Sequence, residues 1–98
     1  MNRVLAIGVV GLGYWGPNLA RNFSLSPSAR LAAVCDLDLG RLEKVRSVYP
    51  EAARFSEFSE MLNGVSLDAV VIATPVRQHY QLARAALLAG KHVLVEKP

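Results

Sequence analysis

The stretch that most limits what this chain can fold into is Val9-Val10-Gly11-Leu12-Gly13-Tyr14-Trp15-Gly16-Pro17-Asn18. It is a G-x-G-x-x-G run between an apolar segment, Val4 to Val10, and a stretch patterned as a helix. A buried strand that turns straight into a helix gives each glycine a separate task. Gly11 permits the tight turn, Gly13 lets backbone approach a pyrophosphate, and Gly16 lets the helix pack closely on the strand. The helix start offers free N–H groups and a positive dipole end, where two phosphates can rest. A purely structural strand-to-helix turn is the alternative at this stage.

The rest of the chain repeats the pattern. Leu5 to Val10 lacks polar alternation, as in a parallel sheet covered on both faces. Trp15, Leu19 and Phe23 then form a helical stripe, with Pro17 in the first turn, where its missing N–H costs little. Ser26-Pro27-Ser28 ends that helix. A second strand, Leu31 to Cys35, runs into Asp36. Asp38 can cap the next helix, whose apolar positions are Leu42, Val45 and Tyr49. Its charged residues Arg41, Glu43, Lys44 and Arg46 read as a solvated face. Pro50 marks its end, and a short third strand is expected at Ala53 to Phe55. Ser56 is a candidate cap for a short helix through Met61-Leu62, ended by Asn63-Gly64. Asp68 to Ala73 is a fourth strand broken by Thr74-Pro75. A helix from about Gln78 to Ala89 carries Tyr80, Ala83 and Leu87 on one face, with Gly90 at C′. Lys91 to Val95 is a fifth strand, followed by Glu96-Lys97-Pro98.

Alternating strands and helices predict an α/β, doubly wound parallel sheet of the Rossmann-like type. Right-handed crossovers give five strands in the order 3-2-1-4-5, with the glycine turn at the switch point. Residues just past strands one, two, four and five should therefore meet in one crevice. These are Gly11 to Gly16, Asp36, Thr74-Pro75 and Glu96-Lys97.

Composition narrows the classes. The 98 residues suit one small domain covering residues 1–98, burying roughly 60–65% of its unfolded surface. The charge of +3 comes from 11 basic and 8 acidic residues. No two cations are adjacent, so nucleic acid is a poor partner. Cys35 is the single cysteine, which leaves no internal disulfide and no cysteine cluster for a metal. The apolar start is broken by Gly8 and Gly11 and reads as neither a membrane span nor a signal peptide. A cytoplasmic location is expected.

Asp36 stands 20 residues after Gly16. A carboxylate there can accept from both hydroxyls of an adenosine ribose and would repel a 2′-phosphate. Leu37 and Asp38 offer no cation to offset that repulsion, so NAD is expected over NADP. A helix cap is the other reading of Asp36, although Asp38 fills that role better. Thr74-Pro75 can also be a plain turn, and His79 a capping or surface residue. Cys35 reads as a small core residue, since no basic partner is near it in sequence. A lysine past a buried strand, Lys97, can have its pKa lowered by desolvation and act as acid or base; a frayed terminus is the alternative.

Gly11-Leu12-Gly13-Tyr14-Trp15-Gly16, Cys35-Asp36, Ala73-Thr74-Pro75 with His79, and Gly90 to Pro98 together resemble the Gfo/Idh/MocA oxidoreductases over essentially the whole chain. The resemblance implies an N-terminal dinucleotide-binding domain followed by a larger α/β domain holding much of the substrate site. It implies reversible hydride transfer between NAD(P) and a hydroxyl-bearing carbon, commonly of a sugar or cyclitol. On that resemblance Lys97 touches the nicotinamide ribose and the reacting hydroxyl, and Glu96 lies near the nicotinamide. Thr74, Pro75 and His79 line the cofactor path. The run from Tyr14 to Leu19 looks most like members that oxidise nucleotide sugars at the 3-position. Cofactor-binding candidates are thus Gly11, Gly13, Tyr14, Trp15, Gly16, Asp36, Thr74, Pro75, His79, Glu96 and Lys97, with Lys97 also catalytic and no metal site.

The chain given stops at Pro98, short of a sixth strand and of the second domain. The expectation is a cofactor-binding piece, inactive alone, with an apolar strand edge that invites self-association. Its substrate would be bound through the missing domain, and the parent can be a homo-oligomer. A non-catalytic nucleotide-binding module or redox sensor is the competing reading, and an interaction domain with a vestigial site a third. Glu96-Lys97 separates the enzyme from these, because a mere binder does not need that pair.

Overall fold

A computed structural model describes residues 4–13 and 16–96. In chain order the elements are β1 (Leu5–Val10), α1 (Gly16–Leu25), β2 (Ala29–Cys35), α2 (Leu39–Val48) and β3 (Ala53–Phe55). They continue with α3 (Phe58–Gly64), β4 (Ala69–Ile72), α4 (Val76–Leu88) and β5 (His92–Val95). All pairings are parallel, in the order β3-β2-β1-β4-β5. The topology expected from the alternation is the one found.

Successive strand side chains point to opposite faces, and the two faces carry separate cores. Ile7, Val9, Leu31, Val34 and Val71 pack with Ala20 of α1 and Leu42 and Val45 of α2. Ala6, Val10, Cys35, Val70 and Ile72 pack with Met61 of α3 and Ala86 of α4. The β1–β2 register slips between Ile7 and Gly8, so Ile7 faces Leu31 and Gly8 faces Ala33. That slip places adjacent Ala32 and Ala33 in one cluster. Val9, Val70, Val71 and Ile72 are essentially inaccessible, each contributing about 1.5–3 kcal/mol of transfer free energy. Burial on both faces explains why these strands lack polar alternation.

Local signals acted mostly as expected. The Asp38 carboxylate accepts from Gly40 N at 2.8 Å and Arg41 N at 3.2 Å and caps α2, typically about 1 kcal/mol of helix stability. Gly90 closes α4 at φ +79°.

Several expectations fail. Ser56 does not cap α3; Glu57 occupies that position and makes no side-chain capping bond. Asn63-Gly64 do not stop α3 but belong to it, and the cap is Val65 in extended conformation. Nothing there demands a glycine, because Gly64 lacks a positive φ. On α4 the sheet-facing side chains are Leu82, Ala83 and Ala86, while Tyr80 and Leu87 are exposed. Ala83 and Ala86 let this helix lie close to the sheet beside Leu82, while Tyr80 and Leu87 project away from it.

Candidate functional site: a crevice at the switch point

The switch point falls where β1 and β4 part. Gly11 has φ +93°, and a Cβ there would come within 2.8 Å of the Ala73 backbone. Only glycine meets both conditions without strain. A Cβ on Gly16 would overlap the Gly11 carbonyl oxygen, so the start of α1 is held against the turn as that spacing requires. Gly11 N also donates to Cys35 O at 2.9 Å, and Ala73 N to Val10 O at 2.8 Å. These bonds hold the ends of β1, β2 and β4 side by side.

Between them opens a cavity of about 680 Å³, lined by Gly11, Gly13, Asp36, Thr74, Pro75 and Glu96, with Arg41 among its other residues. Its size suits a drug-sized or cofactor-sized ligand. The convergence expected from strand order is therefore present. Tyr14, Trp15 and Lys97, also candidates, lie outside the described residues. His79 does not line the cavity; its Nε2 lies 2.6 Å from Thr74 O and braces the turn after β4 from behind.

Asp36 is the only buried charged residue among those described. Its Oδ2 accepts from Leu12 N at 2.7 Å and its Oδ1 from Asp38 N at 2.8 Å. Each carboxylate oxygen has a second lone pair, so two ribose hydroxyls can still be taken. Cys35, next to it, is buried, and burial first, then the charges of Asp36 and Glu57, push its thiol up to about 11. It stays a neutral core residue at ordinary pH and is no nucleophile.

Beside Thr74 the situation differs. Its hydroxyl oxygen is buried with no hydrogen-bond partner among the described residues. A buried, unpaired hydroxyl at a cavity wall marks a position for a ligand atom. Next to it, α4 begins at Val76 without a side-chain cap, which leaves first-turn N–H groups available to an anion. The residues thus fit a dinucleotide: hydroxyl acceptors at Asp36, room for phosphates at the glycine turn, and an open donor set at Thr74.

Sequence reasoning missed Arg41. Taken as part of a solvated helix face, it stands beside the glycine turn, with Nη1 3.6 Å from Asp36 Oδ2 and Nε 3.8 Å from Asp38 Oδ2. An ideal Cβ on Gly13 would sit 3.3 Å from Arg41 Nη1. The usable signal was its place in the first turn of the helix that starts just past Asp36 at the end of β2. Glu43 and Arg46, by contrast, pair with each other at the exposed surface. That is the solvated pattern expected of the whole face.

A parallel sheet in this order, with a glycine turn at its switch point and a buried carboxylate just past β2, is the pattern of a dinucleotide-binding domain. The chain belongs to the Gfo/Idh/MocA family. The profile described as oxidoreductase family, NAD-binding Rossmann fold matches residues 5–98, so NAD is the cofactor of this domain. Over 101 residues the chain is 40% identical to glycosyl hydrolase family 109 protein 2 of Shewanella sp. (strain ANA-3), covering 94% of this chain and 22% of that protein. Scyllo-inositol dehydrogenase from Lactobacillus casei, solved with NAD(H) and scyllo-inositol, superposes with a TM-score of 0.90 at 34% identity, over 98% of this chain and 28% of that one. The WlbA dehydrogenase from Bordetella pertussis, solved with NADH and UDP-GlcNAcA, gives 0.90 at 33%, over 98% and 29%. The chain thus spans less than a third of the length of these relatives. Among the described residues no helix is long and apolar enough to cross a membrane.

Proposed function

We propose that this chain is the cofactor half of an NAD-dependent oxidoreductase acting on a hydroxyl-bearing carbon of a sugar, cyclitol or nucleotide sugar. The observation that carries the reading is the meeting of Gly11, Asp36, Thr74 and Glu96 around one cavity. Bound NAD supplies a hydride acceptor: the carbon loses a hydride, the hydroxyl loses a proton, and a ketone and NADH result. Lys97, next in sequence after Glu96, would take that proton, as the family resemblance implies. Asp36 anchors the adenosine ribose, the glycine turn seats the pyrophosphate, and Thr74 with the start of α4 orients the nicotinamide half. The inositol and nucleotide-sugar ligands of the two similar structures support the substrate class. Most of the substrate site belongs to a second domain, as the 22–29% share of the relatives' length suggests.

The 40% identity to a glycosyl hydrolase favours one second reading. In it the parent protein cleaves a glycosidic bond and NADH does not accumulate. Following NADH absorbance and sugar release together in the parent protein separates the two.

The direct test is calorimetric titration of the chain with NAD. Binding is expected, and Asp36→Ala should weaken it by about 1–3 kcal/mol through lost charge-assisted bonds. Unchanged affinity in that variant would sink the assignment. The chain alone should form no NADH from any sugar, and sugar-dependent reduction by the purified chain would refute the division of labour.

A further inference from the structure

The sheet-facing stripe of α4 runs through Leu82, Ala83 and Ala86. His79 extends it towards the start of the helix, because residues three and four apart share a helix face. His79 is half-buried and does not line the cavity, whereas Thr74, Pro75 and Gln78 do. Its Nε2 lies 2.6 Å from the carbonyl oxygen of Thr74. A carbonyl oxygen only accepts, so Nε2 carries the proton and donates. The turn it reaches has few other holds: Pro75 offers no N–H, and α4 starts without a side-chain cap. Thr74 is thus tied at its carbonyl, while its buried hydroxyl has no partner among the described residues.

We propose that His79 is a positioning residue for the nicotinamide half of the cofactor, acting through Thr74 without touching the ligand. The inference rests on the NAD reading of the cavity and on the part given there to Thr74. The bond from His79 fixes the Thr74 backbone at the passage from β4 to α4, and so holds its side chain against the cavity. A hydroxyl already in place costs little to order when a ligand atom takes it up, whereas the ordering of a loose one is subtracted from affinity. Asp36 needs no such help, since its two oxygens are held by the N–H groups of Leu12 and Asp38. The effect of His79 is therefore confined to one half of the ligand. A brace that served the fold alone would lower stability and leave the two halves alike.

The test is calorimetric titration of the whole chain with NAD and with 5′-AMP, beside urea midpoints. His79→Ala should weaken NAD binding about fivefold and AMP binding less than about twofold. His79→Leu, which fills the space without a donor, should do the same and serves if the alanine variant does not fold. His79→Gln, whose side-chain N–H can take the place of Nε2, should keep NAD affinity within about twofold of wild type. Thr74→Val should also cost about fivefold for NAD alone. Adding His79→Ala to it should cost little more, because both remove one interaction. Losses that multiply to about twenty-five-fold, equal losses for NAD and AMP, or a lower urea midpoint with NAD affinity unchanged would each overturn the positioning role while leaving the NAD site standing. A glutamine variant as weak as the alanine one would do so too. Failure of the wild-type chain to bind NAD or AMP at all would overturn both readings.

Discussion

At the α1–α2 end of the crevice, Asp36 has both oxygens held by backbone N–H groups, Gly16 is locked against Gly11, and Cys35 is sealed beneath. At the α4–β5 end, the buried Thr74 hydroxyl has no hydrogen-bond partner among the described residues, Tyr80, Leu87 and Leu88 are exposed, and Leu94 and Val95 of β5 lie open. The same sheet supports both ends, and its central strands are equally buried on both faces. What differs is satisfaction of polar groups and cover over apolar ones. At the Asp36 end the carboxylate is held by backbone donors, while at the other the Thr74 hydroxyl has no partner among the described residues. A cofactor spanning both would be gripped at one end and merely received at the other.

The strongest way to break the closed end is Gly16→Ala. The added carbon meets the Gly11 carbonyl, which is backbone that cannot swing aside. A loss of about 3 kcal/mol is expected from such overpacking, read from urea midpoints, with loss of NAD binding. A variant as stable as wild type would show that the turn can relax and that closure is not built in.

The open end is tested by Val95→Lys. Among the described strands β5 is an edge, and it carries no Lys, Arg, Asp or Glu to discourage pairing. The chain alone should self-associate in a concentration-dependent way by sedimentation velocity, and the lysine should shift it towards monomer. A wild-type chain that is monodisperse and monomeric would remove the contrast between the two edges of the crevice.

How much of this was legible follows the same division. The glycine turn, Asp36 and the strand order could be read because continuous apolar runs and punctuating turns are local signals. Short-range chemistry also placed Asp38 as a cap. Arg41 was not legible, since helical periodicity separates the apolar face of α2 from its charged face. It cannot say which charged residue stands over the switch point. The packing side of α4 was legible only at Ala83: Tyr80 and Leu87, expected beside it, are exposed, and Leu82 and Ala86 meet the sheet instead. Ser56 lost the capping position to Glu57 because the start of α3 depends on where β3 ends, a tertiary matter.

A smaller effect sharpens the comparison at Thr74. Valine has the same shape and no hydroxyl, so Thr74→Val removes an unsatisfied buried group without opening a void. Stability should stay level or rise by up to about 1 kcal/mol, while NAD affinity falls by about 1 kcal/mol. Destabilisation instead would mean that the hydroxyl already has a protein partner, and the two ends would then be alike.

The smallest effect concerns Cys35, at the closed end. Its thiol is pushed from 9.0 to about 11 by burial first and then by the charges of Asp36 and Glu57. Between those values the unfolded chain has released the proton and the folded chain has kept it. The folded state then binds more protons, so stability falls as pH rises through that window, by at most about 1.4 kcal/mol per pH unit. Below it the two states hold the proton alike and the contribution is constant. Other groups titrate there too, so the quantity to measure is the difference between wild type and Cys35→Ala in urea midpoints from about pH 8 to about pH 11. The alanine variant should start lower, because it leaves a small cavity, and lose less with rising pH. Parallel curves would mean that the thiol ionises as freely folded as unfolded. The floor beneath Asp36 would then be open to water, and the closed end no better sealed than the other.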